Sequence, residues 1–162
     1  MSSKLSGPVV CPGSFDPVTL GHLDIFHRAS KQFEKVVIAV LQNPVKSNLF
    51  SVEERIELLV DATADLSNIE VTSFEGLLVD FCKRKNITAI VKGLRAVSDF
   101  DYELQMAQLN HQIGGVETFF MSSNPTYSFL SSSMAKEVAK FGGSVDLLVP
   151  TNVAAALSRK FS

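Results

Sequence analysis

Residues Pro8 to Leu41 read PVVCPGSFDPVTLGHLDIFHRASKQFEKVVIAVL. Pro8–Pro12 is a short apolar run of strand character, His22–Phe33 carries its apolar residues at helical spacing, and Lys35–Leu41 is a second, β-branched run. Strands that are apolar throughout suit a sheet covered on both faces, which implies parallel strands.

The same alternation continues outward. Ile69–Phe74, Thr88–Val91 and Thr118–Met121 read as further strands, and Val52–Ala64, Leu77–Lys85, Phe100–Ile113 and Met134–Phe141 as helices. Ser51 and Glu54 have capping-box spacing, Gly142-Gly143 supplies a helix stop, and TNVAAALSRKFS reads as a terminal helix. The expected fold is α/β: a Rossmann-like, doubly wound five-stranded parallel sheet with helices on both faces, forming one domain over residues 1–162. In such sheets ligands sit beyond the carboxyl ends of the strands, so functional residues are expected just after each strand.

Composition narrows the function. A chain of 162 residues with 46% hydrophobic and 20% charged residues suits one globular domain with a sizeable core. A net charge of −2 argues against a broad polyanion-binding surface, so neither nucleic acid nor an anionic membrane is an expected partner. The sequence lacks an apolar run near the ~20 residues of a membrane span, and MSSKLSGP lacks the apolar stretch of a secretory signal, so a cytoplasmic location is expected. Cys11 and Cys82 have neither CxxC spacing nor a clustered His, which predicts free thiols and no protein-held metal.

Three constellations carry chemistry. In Pro12–His22, Gly13 allows a tight turn, and Gly21 removes a side chain where phosphate could approach the N-terminus of the next helix. Thr19 can cap that helix with His22 an ordinary first-turn residue, or His22 can donate to a non-bridging phosphate oxygen.

In Lys92-Gly93-Leu94-Arg95, expected to follow the fourth strand, two cations flank a glycine. Arg95 can grip phosphate bidentately and Lys92 can act as a point charge, or both can be solvated. Asp99, Asp101, Tyr102 and Glu103 open the next helix, where acids also suit the helix dipole.

In Tyr127–Ser133 the serines before a helix can cap it, donate to phosphate, or do both. Lys46, after the second strand, is a loop cation that is either solvated or turned to the site, and Leu77 and Leu78 follow Gly76 at a helix start. His27 and His111 read as helix-surface residues, and the helical phenylalanines mostly as core.

GSFDPVTLGH resembles the G-[ST]-F-D-P-x-T-x-G-H signature of the nucleotidyltransferase superfamily, in which the glycine and histidine of (H/T)xGH contact the triphosphate. Thr19 in the first motif position is similar to the phosphopantetheine adenylyltransferase family, as is GLRAVSDFDYELQ to its GLRxxxDFxYExQ segment. LSSSMAKE resembles I-S-S-[ST]-x-x-[RK], with Leu130 replacing Ile and Lys136 in the basic position.

The resemblance implies adenylyl transfer from ATP to 4′-phosphopantetheine, giving dephospho-coenzyme A and pyrophosphate by direct in-line displacement. It implies His22, Lys46 and Arg95 as the catalytic residues. It assigns ATP to Ser14, Phe15, His22, Gly93, Leu94, Arg95, Glu103, Tyr127, Ser128, Phe129, Leu130, Ser131, Ser132 and Ser133. The acceptor falls to Ser14, Lys46, Leu78 and Lys92, where many relatives carry Arg in place of Lys92 and so offer a fork in place of a point charge. Mg2+ held mainly through ATP, a homohexamer and coenzyme A as a feedback ligand are further implications. A nicotinate or nicotinamide mononucleotide acceptor and a non-catalytic nucleotide sensor are the alternatives, and retention of His22, Lys46 and Arg95 argues against the sensor.

Overall fold

The computed structural model describes residues 3–162. Five strands, β1 (Leu5–Gly13), β2 (Phe33–Leu41), β3 (Ile69–Phe74), β4 (Ala89–Leu94) and β5 (Glu117–Ser122), form one sheet. All pairings are parallel, in the order β3-β2-β1-β4-β5. The helices are α1 (Leu20–Gln32), α2 (Val52–Ala62), α3 (Leu78–Arg84), α4 (Val97–Gly114), α5 (Ser132–Lys140) and α6 (Thr151–Phe161).

Successive strand side chains point to opposite faces, so a run such as Val36–Val40 must satisfy two cores. Val9, Cys11, Val36, Ile38, Val40 and Val91 pack with Ile25, Phe26 and Ala29 of α1, Leu59 of α2, Ala135 of α5 and Val153 and Leu157 of α6. Val10, Val37, Ala39 and Ile90 pack on the other face with Val79, Phe81 and Cys82 of α3. This is the doubly wound arrangement expected from the sequence.

Several boundaries differ from that expectation. β4 does not stop at Val91: Lys92, Gly93 and Leu94 pair with Phe120, Met121 and Ser122 of β5, so they lie in the strand and not after it. Gly93 suits that position because a Cβ there would stand 2.9 Å from Cγ1 of Ile25, where α1 crosses β4. α1 starts at Leu20, α4 at Val97 and α5 at Ser132, each earlier than the expected starts at His22, Phe100 and Met134.

The Ser51–Glu54 capping box forms as expected, and Gly142 takes a left-handed backbone after α5. Of the phenylalanines expected in helices, Phe26, Phe33 and Phe81 are core, whereas Phe100, Phe141 and Phe161 are exposed, which corrects the expectation that most are buried. His27 and His111 lie on helix surfaces beside Asp65 and Glu117. Among the described residues, no helix is long and apolar enough to cross a membrane.

Candidate active site

β1 and β4 are adjacent while their crossovers pass on opposite faces of the sheet, which opens a crevice at their carboxyl ends. A cleft of about 370 Å³ occupies it, walled by the turn after β1, the start of α1, the end of β4 and the start of α5.

The turn after β1 differs from the sequence reading. The left-handed residue is Phe15, with φ +47°, and not Gly13. Gly13 is needed because a Cβ there would stand 2.9 Å from the Phe15 ring. A left-handed backbone at a bulky residue costs ~1–3 kcal/mol, so packing must hold it. The Phe15 ring is buried edge-on against Phe26, with centroids 5.4 Å apart, and against His22, 5.1 Å away.

Thr19 is the N-cap of α1, and its hydroxyl accepts from the His22 N–H at 3.3 Å. His22 completes a capping box in the position usually taken by Glu or Gln: the Thr19 N–H donates to Nδ1 at 3.0 Å. Nδ1 is therefore an acceptor and the ring proton resides on Nε2. Burial, then the charges of Arg95 and Lys92, hold the imidazole pKa down to about 4. The side chain lining the cleft is a neutral N–H donor, so both the capping and the phosphate-donor readings can hold at once.

Lys46, Lys92, Arg95 and Lys136 all line this cleft. Lys92 pairs with Glu103 at 3.4 Å, Arg95 with Asp99 at 3.4 Å, and Lys136 with Asp16 at 3.0 Å. Arg95 also donates to the Leu130 carbonyl at 2.5 Å, so part of its guanidinium is committed to the segment just before α5 and part faces a carboxylate. Lys46 stands on the exposed Gln42–Ser47 segment, and among the described residues no carboxylate pairs with it. An incoming polyphosphate would meet one free cation and share the other three with their acids.

At the start of α5, Ser131 is the N-cap and accepts from the Met134 N–H at 3.1 Å, while Ser132 donates to the Pro17 carbonyl at 2.7 Å. Capping is thus real, and the helix N-terminus still opens on the cleft, with Ser133 on the lining.

Of the residues assigned to ATP by resemblance, Ser14, Phe15, His22, Gly93, Arg95, Glu103, Tyr127, Leu130, Ser131, Ser132 and Ser133 come together on the cleft wall. Leu94, Ser128 and Phe129 do not, and Phe129 is 58% exposed to solvent. Cys11 lies beneath the cleft, and burial pushes its thiol up to about 12, which makes it a packing residue and a poor nucleophile. Both cysteines are free.

A second chamber of about 280 Å³ opens beside the cleft and shares Pro12, Gly13, Lys92 and Glu103 with it. Its walls are Leu41, Phe74, Leu77, Leu78 and Ile90 on one side and Tyr102, Met106, Leu109 and Ile113 of α4 on the other. Leu78, assigned to the acceptor by resemblance, lies here, while Lys46 and Ser14 line the first cleft and Lys92 stands between the two.

Sequence reasoning missed two buried charges. Asp16 accepts from the Phe50 and Leu49 amides, each at 2.9 Å, and from Lys136. The signal was an acid in a loop otherwise suited to anions, which needs an internal cation. Arg55 is 2% exposed and donates to the carbonyls of Ser14, Leu41 and Ser51 at 2.8, 3.2 and 3.3 Å. It falls four residues before Leu59 on the buried stripe of α2, a position where a charge must be satisfied internally.

Residues 10–138 match the cytidylyltransferase-like family. The chain is 62% identical over 151 residues to a phosphopantetheine adenylyltransferase of Streptomyces coelicolor, covering 93% of this chain and 95% of that one. It is 54% identical over 154 residues to a phosphopantetheine adenylyltransferase of Thermobifida fusca, covering 95% of this chain and 94% of that one. With a cleft that places a neutral histidine donor at a helix start beside four cations, the likeness extends over nearly the whole chain, and the chain belongs to the phosphopantetheine adenylyltransferase family of nucleotidyltransferases.

Proposed function

We propose that the chain transfers the adenylyl group of ATP to 4′-phosphopantetheine, forming dephospho-coenzyme A and pyrophosphate. The observation that carries this reading is the pair of joined cavities, one polar and cationic, one apolar, meeting at Lys92. An acceptor with an ionised phosphate at one end and a long arm at the other fits that pair. Asn110 on the chamber lining offers a polar side chain to the amides of the arm.

The acceptor phosphate attacks the α-phosphorus in line and pyrophosphate leaves. A phosphate monoester is largely ionised near neutrality, so positioning and charge stabilisation suffice without a strong base. His22 donates from Nε2 to a non-bridging oxygen as charge builds on it. Lys46 and Lys92 hold the acceptor phosphate, and Arg95 the nucleotide phosphates. Mg2+ carried mainly by the ATP oxygens and water would lower the net triphosphate charge. This suits the donor set, because Asp16, Asp99 and Glu103 are each engaged by a cation, and the described residues contain no group of three or more His, Cys, Asp or Glu arranged for a metal.

Resemblance to homohexameric relatives supports the same assembly here, and Val97, Tyr102, Leu109 and Ile113 of α4 supply exposed apolar area for subunit contacts. Coenzyme A, carrying both the arm and an adenosine moiety, would compete at the joined cavities. Free, buried thiols are compatible with a cytoplasmic location.

Pyrophosphate release measured with Mg2+, ATP and a panel of acceptors tests the reading. Turnover is expected with 4′-phosphopantetheine and much less with nicotinate mononucleotide; equal or reversed activity would overturn it.

A further inference from the structure

The loop carrying Lys46 has few holds on the molecule. At its start the Gln42 N–H donates to the Phe74 carbonyl at 2.8 Å. Within it, the Lys46 N–H donates to the Asn43 carbonyl and the Val45 N–H to the Asn43 side chain, which shapes a local turn without tying it to the body. Val45 is 92% exposed.

At its far end the loop meets Asp16. Oδ1 accepts from the Phe50 N–H and Oδ2 from the Leu49 N–H, both at 2.9 Å, and Lys136 reaches Oδ2 at 3.0 Å. The carboxylate is 5% exposed, and both of its oxygens are committed. That leaves it unsuited to serve as a base or metal ligand while these contacts last. Asp16 immediately follows Phe15 and precedes the N-cap Thr19 by three residues, so the loop is fastened to the same turn that sets His22.

We infer that Asp16 is a positioning residue: its carboxylate, held in place by Lys136, seats the Lys46 loop so that the Lys46 ammonium stands at a fixed place relative to His22. This rests on the Lys46 role proposed above. An amide donating to a buried carboxylate forms a charge-assisted bond, shorter and stronger than a neutral one. Two such bonds, three and four residues from Lys46, limit how far its Cα can wander. Asp16→Asn keeps the shape but turns an NH2 toward either the Phe50 amide or the Leu49 amide and Lys136, so at least one donor faces another donor.

A double-mutant cycle on the intact protein tests this, with kcat and KM measured for 4′-phosphopantetheine and ATP affinity measured directly. Asp16→Asn is expected to lower kcat/KM for the acceptor by roughly 10²-fold, the scale of an ångström misplacement of a reacting group. In a Lys46→Ala background the same change should cost less than about threefold, because the residue it acts through is gone. A second readout is tryptic cleavage after Lys46, which should speed up by about an order of magnitude in Asp16→Asn as local opening becomes easier.

An equal loss in both backgrounds would overturn the inference, as would unchanged cleavage after Lys46, or lost ATP affinity with normal acceptor kinetics. If Lys46→Ala alone is as active as the parent, the Lys46 role falls, and the inference with it. Thermal melts accompany each variant; if Asp16→Asn does not fold, Asp16→Glu, which keeps the charge but displaces the oxygens, is put through the same cycle with the same expected outcomes.

Discussion

The start of α1 and the loop from Gln42 to Phe50 each bring one donor to the same cleft, and they hold it in opposite ways. His22 is locked by its own helix: the Thr19 N–H takes Nδ1, the Thr19 hydroxyl takes the His22 N–H, and the Phe15 ring packs edge-on against the imidazole. Lys46 ends in a flexible four-carbon stem on an exposed loop anchored, among the described residues, at its two ends. The contrast fits the two tasks. A group that stabilises transition-state charge must be preorganised, since reorienting it during reaction would raise the barrier. A group that captures an acceptor phosphate and travels with it gains from reach.

The comparison is broken most directly at His22. His22→Ala should lower the single-turnover rate by about 10²–10³-fold, as for removal of one oxyanion donor, while ATP affinity changes far less. A normal rate would remove the histidine from the mechanism, and a loss confined to ATP affinity would make it a binding residue.

Lys46→Ala should act on both terms. Loss of one charge-assisted contact, worth ~1.5–3 kcal/mol, corresponds to roughly 10–100-fold in kcat/KM for the acceptor, with weaker acceptor binding measured directly. Weaker ATP binding with unchanged acceptor affinity would erase the proposed division between the two regions.

Thr19→Ala sharpens the comparison, because it removes the cap hydroxyl but leaves the main-chain N–H that holds Nδ1. The expected cost is about 1 kcal/mol of stability, read from denaturant midpoints, with turnover much closer to the parent than that of His22→Ala. A turnover defect as large as that of His22→Ala would show that the hydroxyl, and not the amide, orients the ring.

A further effect is on pH dependence. The His22 pKa is about 4 in the folded chain against 6.5 for an ordinary histidine. Between those values the unfolded chain binds a proton that the native chain does not, so stability falls as pH drops from 6.5 towards 4, and this contribution levels off below it. Denaturant midpoints at pH 7 and pH 5 should converge in His22→Ala relative to the parent. An equally steep decline in the variant would place the titration elsewhere.

The fold was legible because the central runs of β1 and β2 are apolar on both of their faces. Val36–Val40 has no polar alternate, so it could only be a strand between two layers of helices. The end of β4 was less legible. Lys92 and Gly93 look like loop residues, and only pairing with Phe120 and Met121 of β5 keeps them in the sheet. The motif residues were legible as types, but their state was not: the sequence contains Arg95, Lys92 and Lys136 without saying that each already faces an acid.

By itself the sequence determined the α/β layering, the helix cap at Ser51 and the three ordered motifs, because propensity, capping and apolar periodicity act between residues a few positions apart. Only the tertiary structure decided that Phe15 and not Gly13 takes the left-handed backbone, that Ser128 and Phe129 turn away from the cleft, and that Asp16 holds a loop 33 residues further along the chain. These depend on which groups meet across long stretches of sequence. A buried carboxylate finds its amides and its lysine only after the strands have paired and the helices have docked.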